Sequence, residues 1–150
     1  MDSLVRDAVP EEIGALRELY RGSSLSNEGD RAGLLAHPEV LVWSDLALRE
    51  QRTRVAVRDG RLVGFATTID VDGVIELEDL FVDPEWMRLG VGRDLVVDAV
   101  AGARRRGVRR IEVTANPHAL TFYERVGFEP DGPVDTQLGS GIRMHLDATA

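Results

Sequence analysis

Residues 74–93 read VIELEDLFVDPEWMRLGVGR, and the order of events within them decides the fold. An apolar run ends at Val82, Asp83-Pro84 breaks it, and Gly90 and Gly92 open a segment of helical period. In that segment Val91, Leu95, Val96, Ala99 and Ala103 line one face, while Asp94, Asp98 and Arg105 lie on another, as in an amphipathic helix covering a sheet. The spacing predicts a helix from near Gly90 to Arg106, closed by Gly107, and then a strand over Arg109 to Ala115 with Ile111 and Val113 facing inward. Strand, helix and strand so spaced predict a right-handed crossover between two parallel strands. Parity is broken inside the first strand: Ile75 and Leu77 share one face, whereas Leu80 and Val82 belong to the other. An extra residue near Glu78 or Asp79 reconciles them as a β-bulge; a strand buried on both faces is the alternative.

Upstream, Leu62 to Ile69 is apolar nearly throughout and is bounded by Asp59-Gly60 and Asp72-Gly73, so Val55 to Val82 reads as antiparallel hairpins. Leu4 to Ala8 reads as a first strand. Pro10 then opens a helix with Glu11 and Glu12 in its first turn and a buried stripe of Ile13, Leu16, Leu19 and Tyr20. Asn27 is the expected cap of a second helix that Pro38 stops. Leu41 to Gln51 is ambiguous, with Ser44 or Asp45 able to cap a further helical turn. Downstream, Asn116 is the expected cap of a last helix, with Pro117 in its first turn and Gly127 past its end, and two strands close the chain, the second over Ile142 to Leu146. The expected fold class is a mixed α/β sheet, antiparallel N-terminal strands followed by a parallel β-α-β unit.

Composition narrows the function. A chain of 150 residues, 43% apolar and 29% charged, fits one compact domain spanning 1–150. No apolar run is long enough to span a bilayer, and the acidic start MDSLVRDAVPEE lacks the basic and apolar regions of a secretory signal, so a cytoplasmic protein without membrane attachment is expected. The absence of cysteine removes disulfides, thiolate nucleophiles and thiolate metal ligands. His37, His118 and His145 are scattered, so no metal site is expected. A net charge of -8 argues against nucleic-acid partners; it favours a cationic substrate mildly, and solubility explains it as well.

The glycines at 90 and 92 stand where a strand-to-helix loop meets a first helical turn, whose free N–H groups and positive dipole end suit an anion. Arg88 and Arg93 add charge. A bare turn is the alternative, and neither a Walker loop nor a three-glycine dinucleotide fingerprint is present.

Leu80-Phe81-Val82-Asp83-Pro84 followed by Met87-Arg88-Leu89-Gly90-Val91-Gly92 resembles motif A of the Gcn5-related N-acetyltransferases (GNAT), with Met87 standing where the family usually has Gln or Arg. Residues 116–128, NPHALTFYERVGF, resemble the family's motif B, and the order of elements resembles that fold over nearly the whole chain. The resemblance implies transfer of an acetyl group from acetyl-CoA (coenzyme A) to a primary amine of a small molecule or peptide, by direct attack. It implies that the pantetheine arm bonds the backbone of Leu80, Phe81 and Val82 where two parallel strands splay. It also implies that Met87, Arg88, Leu89, Gly90, Val91, Gly92 and Arg93 hold the pyrophosphate, and that Asn116 touches the arm. Tyr123 matches the family's tyrosine acid, and its phenol suits protonation of a thiolate; by spacing alone it is a core aromatic. Glu76 matches the position of the general base in some members, and Glu78 lies two residues on along the same face. A solvated strand edge is the alternative for both. Trp43 and Ser23 to Asn27 fall where the fold shapes its acceptor pocket, and packing is the commoner fate of a lone Trp. A non-catalytic acyl-CoA-binding module on the same scaffold is the competing function. The acceptor's identity and the oligomeric state, a homodimer included, stay open.

Overall fold

Two Asp-Gly pairs reverse the chain, and both residues of each take the left-handed conformation of a type I′ hairpin turn: Asp59 and Gly60 at φ 51° and 72°, Asp72 and Gly73 at φ 51° and 81°. They join β2 (Thr53–Arg58), β3 (Arg61–Val71) and β4 (Val74–Val82). The structure, a computed structural model, describes residues 2–136 and 139–149, so Gln137 and Leu138 within the glycine-rich stretch 132–141 lie outside it. Ahead of β2 come β1 (Leu4–Asp7), α1 (Ile13–Leu25), α2 (Glu28–Ala36) and α3 (Leu46–Arg49); after β4 come α4 (Val91–Arg105), β5 (Arg110–Ala115), α5 (Leu120–Arg125), β6 (Glu129–Thr136) and β7 (Gly139–Asp147). The strands form one mixed sheet in the order β1-β2-β3-β4-β5-β7-β6, and the chain divides into two compact units.

The first unit is Met1–Thr67 with Asp79–Leu95. β1 and β3 flank β2 antiparallel, with a bulge-type shift at Ala56/Val57. Over them lie the expected α1 residues Leu16 and Leu19, joined by Trp43, Ala47, Leu48, Val55 and Phe65 in one apolar cluster against which Ile13, Tyr20 and Phe81 pack. Asn27 caps α2 as expected, its Oδ1 accepting the Gly29 N–H at 3.0 Å. In the ambiguous stretch the helix is a single turn, where Ser44 Oγ accepts the Leu46 N–H while Asp45, at the cap position, makes no side-chain cap bond.

Gly64 is the point of closest approach inside this unit. A Cβ there would stand 2.8 Å from Val91 Cγ1, 3.0 Å from the Phe81 carbonyl and 3.2 Å from Leu95 Cδ1. Because one of these neighbours is backbone, Gly64→Ala is expected to cost about 1–3 kcal/mol by overpacking, read as a thermal midpoint several degrees lower. An unchanged midpoint would show that the start of α4 yields freely.

The second unit is Thr68–Glu78 with Val96–Ala150. Ile75, Glu76 and Leu77 pair parallel to Ile111, Glu112 and Val113, which is the parallel ladder the crossover requires. β7 then pairs antiparallel with both β5 and β6, and β6, with Pro130 and Pro133, takes the edge, where missing N–H donors are tolerated. Both helices here end in Schellman motifs. Val108 N–H reaches the Ala103 carbonyl and Gly107 N–H that of Arg104; Phe128 N–H reaches the Tyr123 carbonyl and Gly127 N–H that of Glu124. In β4 as a whole, half-buried and buried residues alternate through Leu77, and the alternation is lost over Asp79–Val82, four half-buried residues in succession.

Candidate active site

The loop into α4 begins where Asp83 caps a 3-10 turn, Pro84–Trp86, by accepting the Glu85 N–H at 2.9 Å. Met87 to Gly90 then turn into the helix. Gly90 has φ 85°, and Arg88 has φ 64°, a conformation uncommon for a residue with a side chain. The sequence assigned backbone freedom to the glycines and charge to Arg88; the structure gives Arg88 the left-handed backbone too, while Gly92 is buried within the helix. Alternating signs of φ turn successive amides to one side, making a concave seat for an anion. The first helical bond runs from the Asp94 N–H to the Gly90 carbonyl at 3.0 Å, so the first-turn amides ahead of Asp94 have no helical acceptor. Strain at Arg88 costs on the order of 1–3 kcal/mol, the kind of cost found where a loop is shaped for binding.

Electrostatics agree with that shape. Arg88 and Arg93 are exposed, and neither has an ion pair among the described residues. Beneath the loop, Arg58 is buried, with Nη2 3.6 Å from where a Gly90 Cβ would stand. Arg58 is held by Asp94 at 3.2 Å and by Ser3 Oγ at 2.9 Å, and the Ser3 N–H donates to the same Asp94 oxygen at 2.8 Å. Burial pushes the Asp94 carboxyl up, but the Ser3 hydrogen bonds and the Arg58 guanidinium outweigh it and leave the pKa lowered. A depressed folded pKa contributes stability that is present above the unfolded value of about 3.9 and is lost as pH falls through the folded value. Asp94→Asn is therefore expected to destabilise at pH 7, and its difference from wild type should shrink as both are titrated below about pH 3. A difference that persists undiminished in acid would assign the loss to packing instead.

In the second unit, Tyr123 is 7% exposed, its ring held edge-on by Phe122 at 5.1 Å and Phe128 at 5.4 Å. Asn116 differs from expectation. It stands at the start of the 3-10 turn Pro117–Ala119 and its carbonyl accepts the Ala119 N–H, yet its side chain makes no capping bond, which leaves an exposed amide for other work. Glu76 is paired within its own unit. Arg143 grips both its oxygens, at 2.7 and 2.9 Å, and also bonds Glu112 at 2.8 Å and Thr114 at 2.9 Å. The Glu76 hydrogen bonds lead in pushing the Arg143 pKa up. Matched in this way, the carboxylate ties β4 to β7. Glu78 is exposed. Of the helix-ending arginines, Arg104 donates to the Ala148 carbonyl and Arg106 pairs with Asp70 at 3.0 Å. His145 bonds Asp131 and His37 lies beside Glu39.

One polar residue of the first unit escaped the sequence reading. Asp79 Oδ2 accepts hydrogen bonds from Thr67 Oγ1 at 2.6 Å and Trp43 Nε1 at 3.0 Å. Its only sequence signal was the broken parity of β4.

Residues 42–146 match the family model of the acetyltransferase (GNAT) domain. The chain is 33% identical to a serotonin N-acetyltransferase 2 of Oryza sativa over 84% of its own length and 60% of that protein's. It is 28% identical to the glucosamine 6-phosphate N-acetyltransferase of Trypanosoma brucei over 81% of its length and 91% of that protein's. Of two further curated relatives it spans only 36% and 35%. Its fold matches the crystal structure of the PaiA N-acetyltransferase of Thermoplasma acidophilum in complex with coenzyme A, with a TM-score of 0.76, 21% identity, and coverage of 98% of this chain and 99% of that one. Among the described residues no helix is long and apolar enough to cross a membrane.

Proposed function

This chain belongs to the acetyltransferase (GNAT) family, and from that premise we propose that it moves an acetyl group from acetyl-coenzyme A to a primary amine of a small molecule or peptide. The observation that carries the reading is the loop from Met87 to Arg93, with left-handed Arg88 and Gly90, first-turn amides without helical acceptors, and two exposed arginines outside any ion pair. Its donors fit a diphosphate, and that fit is what a coenzyme A site needs.

Acetyl-coenzyme A supplies an acetyl group already activated as a thioester. The first-turn amides, with Arg88 and Arg93, hold the diphosphate. Leu80, Phe81 and Val82 lie past Leu77, the last β4 residue in the parallel ladder, and offer main-chain groups to the pantetheine arm, as does the Asn116 amide. Tyr123 donates its phenolic proton to the departing sulfur. Glu76 or Glu78 takes the proton from the attacking amine, directly or through a water. With the amine neutral at the moment of attack, transfer needs no covalent enzyme intermediate.

The test pairs calorimetry of coenzyme A binding with thiol release from acetyl-coenzyme A over a panel of polyamines, arylalkylamines, amino acids, amino sugars and peptides. Binding with turnover on one class supports the reading. Binding with no turnover on any amine would make the chain an acyl-coenzyme A-binding module, and no binding at all would remove the cofactor from the account.

A further inference from the structure

Asp79 has no cationic partner among the described residues. Both donors to it, Thr67 and Trp43, are neutral, they share the one oxygen Oδ2, and both are buried at 0% and 5% exposure, so the carboxylate is immobilised. Oδ1 accepts no hydrogen bond and no arginine or histidine pairs with the group among the described residues. Arg17, on α1 of the same unit, donates its Nε–H to the Trp43 carbonyl at 3.0 Å. Tyr20 does not help either, because its hydroxyl donates to the Val40 carbonyl at 2.8 Å. Burial and then the charge of Asp79 push the Tyr20 phenol up, so the field of the carboxylate is felt across the cluster.

The surroundings are aromatic. Trp43 meets Phe65 edge-on at 5.1 Å, Phe65 meets Phe81 at 5.6 Å, and Phe81 meets Tyr20 edge-on at 4.8 Å. Asp79, Tyr20 and Phe81 are all half-buried and thus reachable from solvent. A half-buried carboxylate with one vacant oxygen, a fixed orientation and ring walls is matched by an ammonium, which satisfies the charge and is attracted by aromatic faces. An anionic group beside the nitrogen would meet the same uncompensated charge and be repelled.

We propose that Asp79 Oδ1 seats the ammonium of the acceptor and selects amines carried on an apolar body with no carboxylate or phosphate next to the nitrogen. This rests on the transferase reading for its role in catalysis, though not for the binding itself. Asp79 positions and selects; before attack the seated nitrogen gives its proton, directly or through a water, to the base of the proposed reaction.

The test uses 2-phenylethylamine and phenylalanine as probes, which differ only in the carboxylate, first by calorimetry without any cofactor. Wild type is expected to bind the amine at least about tenfold more tightly than the amino acid. Asp79→Asn keeps an oxygen for Thr67 and Trp43 and removes only the charge, so it is expected to weaken amine binding about 10- to 100-fold. In turnover the KM for the amine should rise by a similar factor, with the KM for acetyl-coenzyme A and the thermal midpoint unchanged. A purely structural Asp79 would move the midpoint and leave the amine-to-amino-acid ratio alone. The seat is overturned if wild type binds neither probe, if it binds both equally, or if folded Asp79→Asn binds the amine as wild type does. Loss of the transferase reading has a separate signature, amine binding without coenzyme A binding.

Discussion

Tyr123→Phe should lower kcat about 100-fold, the lower end of what a positioned general acid supplies, while leaving coenzyme A affinity and the thermal midpoint close to wild type. The structure fixes the ring independently of the chemistry. The Tyr123 ring is clamped edge-on by Phe122 and Phe128, and its carbonyl receives the Phe128 N–H at 2.9 Å in the motif that ends α5. Those ring and main-chain contacts are kept by phenylalanine. A loss confined to kcat marks an interaction made only in the transition state. Measured single-turnover rates equal to wild type would take Tyr123 out of the acid role and return it to the core.

Gly90→Val should weaken coenzyme A binding by about 10- to 100-fold, as expected from losing one or two charge-assisted amide bonds. At φ 85° a β-branched residue is a severe outlier, so the loop must give up the turn that aims its amides. Crowding is not the cause, since the nearest atom to a Cβ there is Arg58 Nη2 at 3.6 Å, an ordinary contact. Charge is unaltered, so the loss isolates backbone geometry from electrostatics. At saturating acetyl-coenzyme A the variant should turn over near the wild-type rate, because uniform binding is what has been removed. Wild-type affinity in Gly90→Val, by calorimetry, would mean the diphosphate is held by arginines alone.

Much of the framework was readable because its signals are local. The Asp59-Gly60 and Asp72-Gly73 turns, the Asn27 cap, and the glycines ending α4 and α5 each act within a few residues of where they stand. The loop at Gly90 was likewise visible as a motif. Contacts with distant partners were not legible. Nothing local announced that Arg143, 67 positions away, bonds Glu76, and Asn116 resembled a cap although its side chain caps nothing. Asp79 drew notice only as a possible bulge, because its donors lie 36 and 12 residues off.

By itself, then, the sequence determined the elements, their order, the parallel crossover and the place of the glycine loop before α4, since hydrogen-bonded turns, caps and periodicity are written within about one helical turn or hairpin. Only the tertiary structure decided that β7 lies between β5 and β6, that Arg88 bears a left-handed backbone, and that Glu76 meets an arginine while Asp79 meets two neutral donors. Charge compensation depends on separations of a few ångströms in space, and chain separation does not encode those.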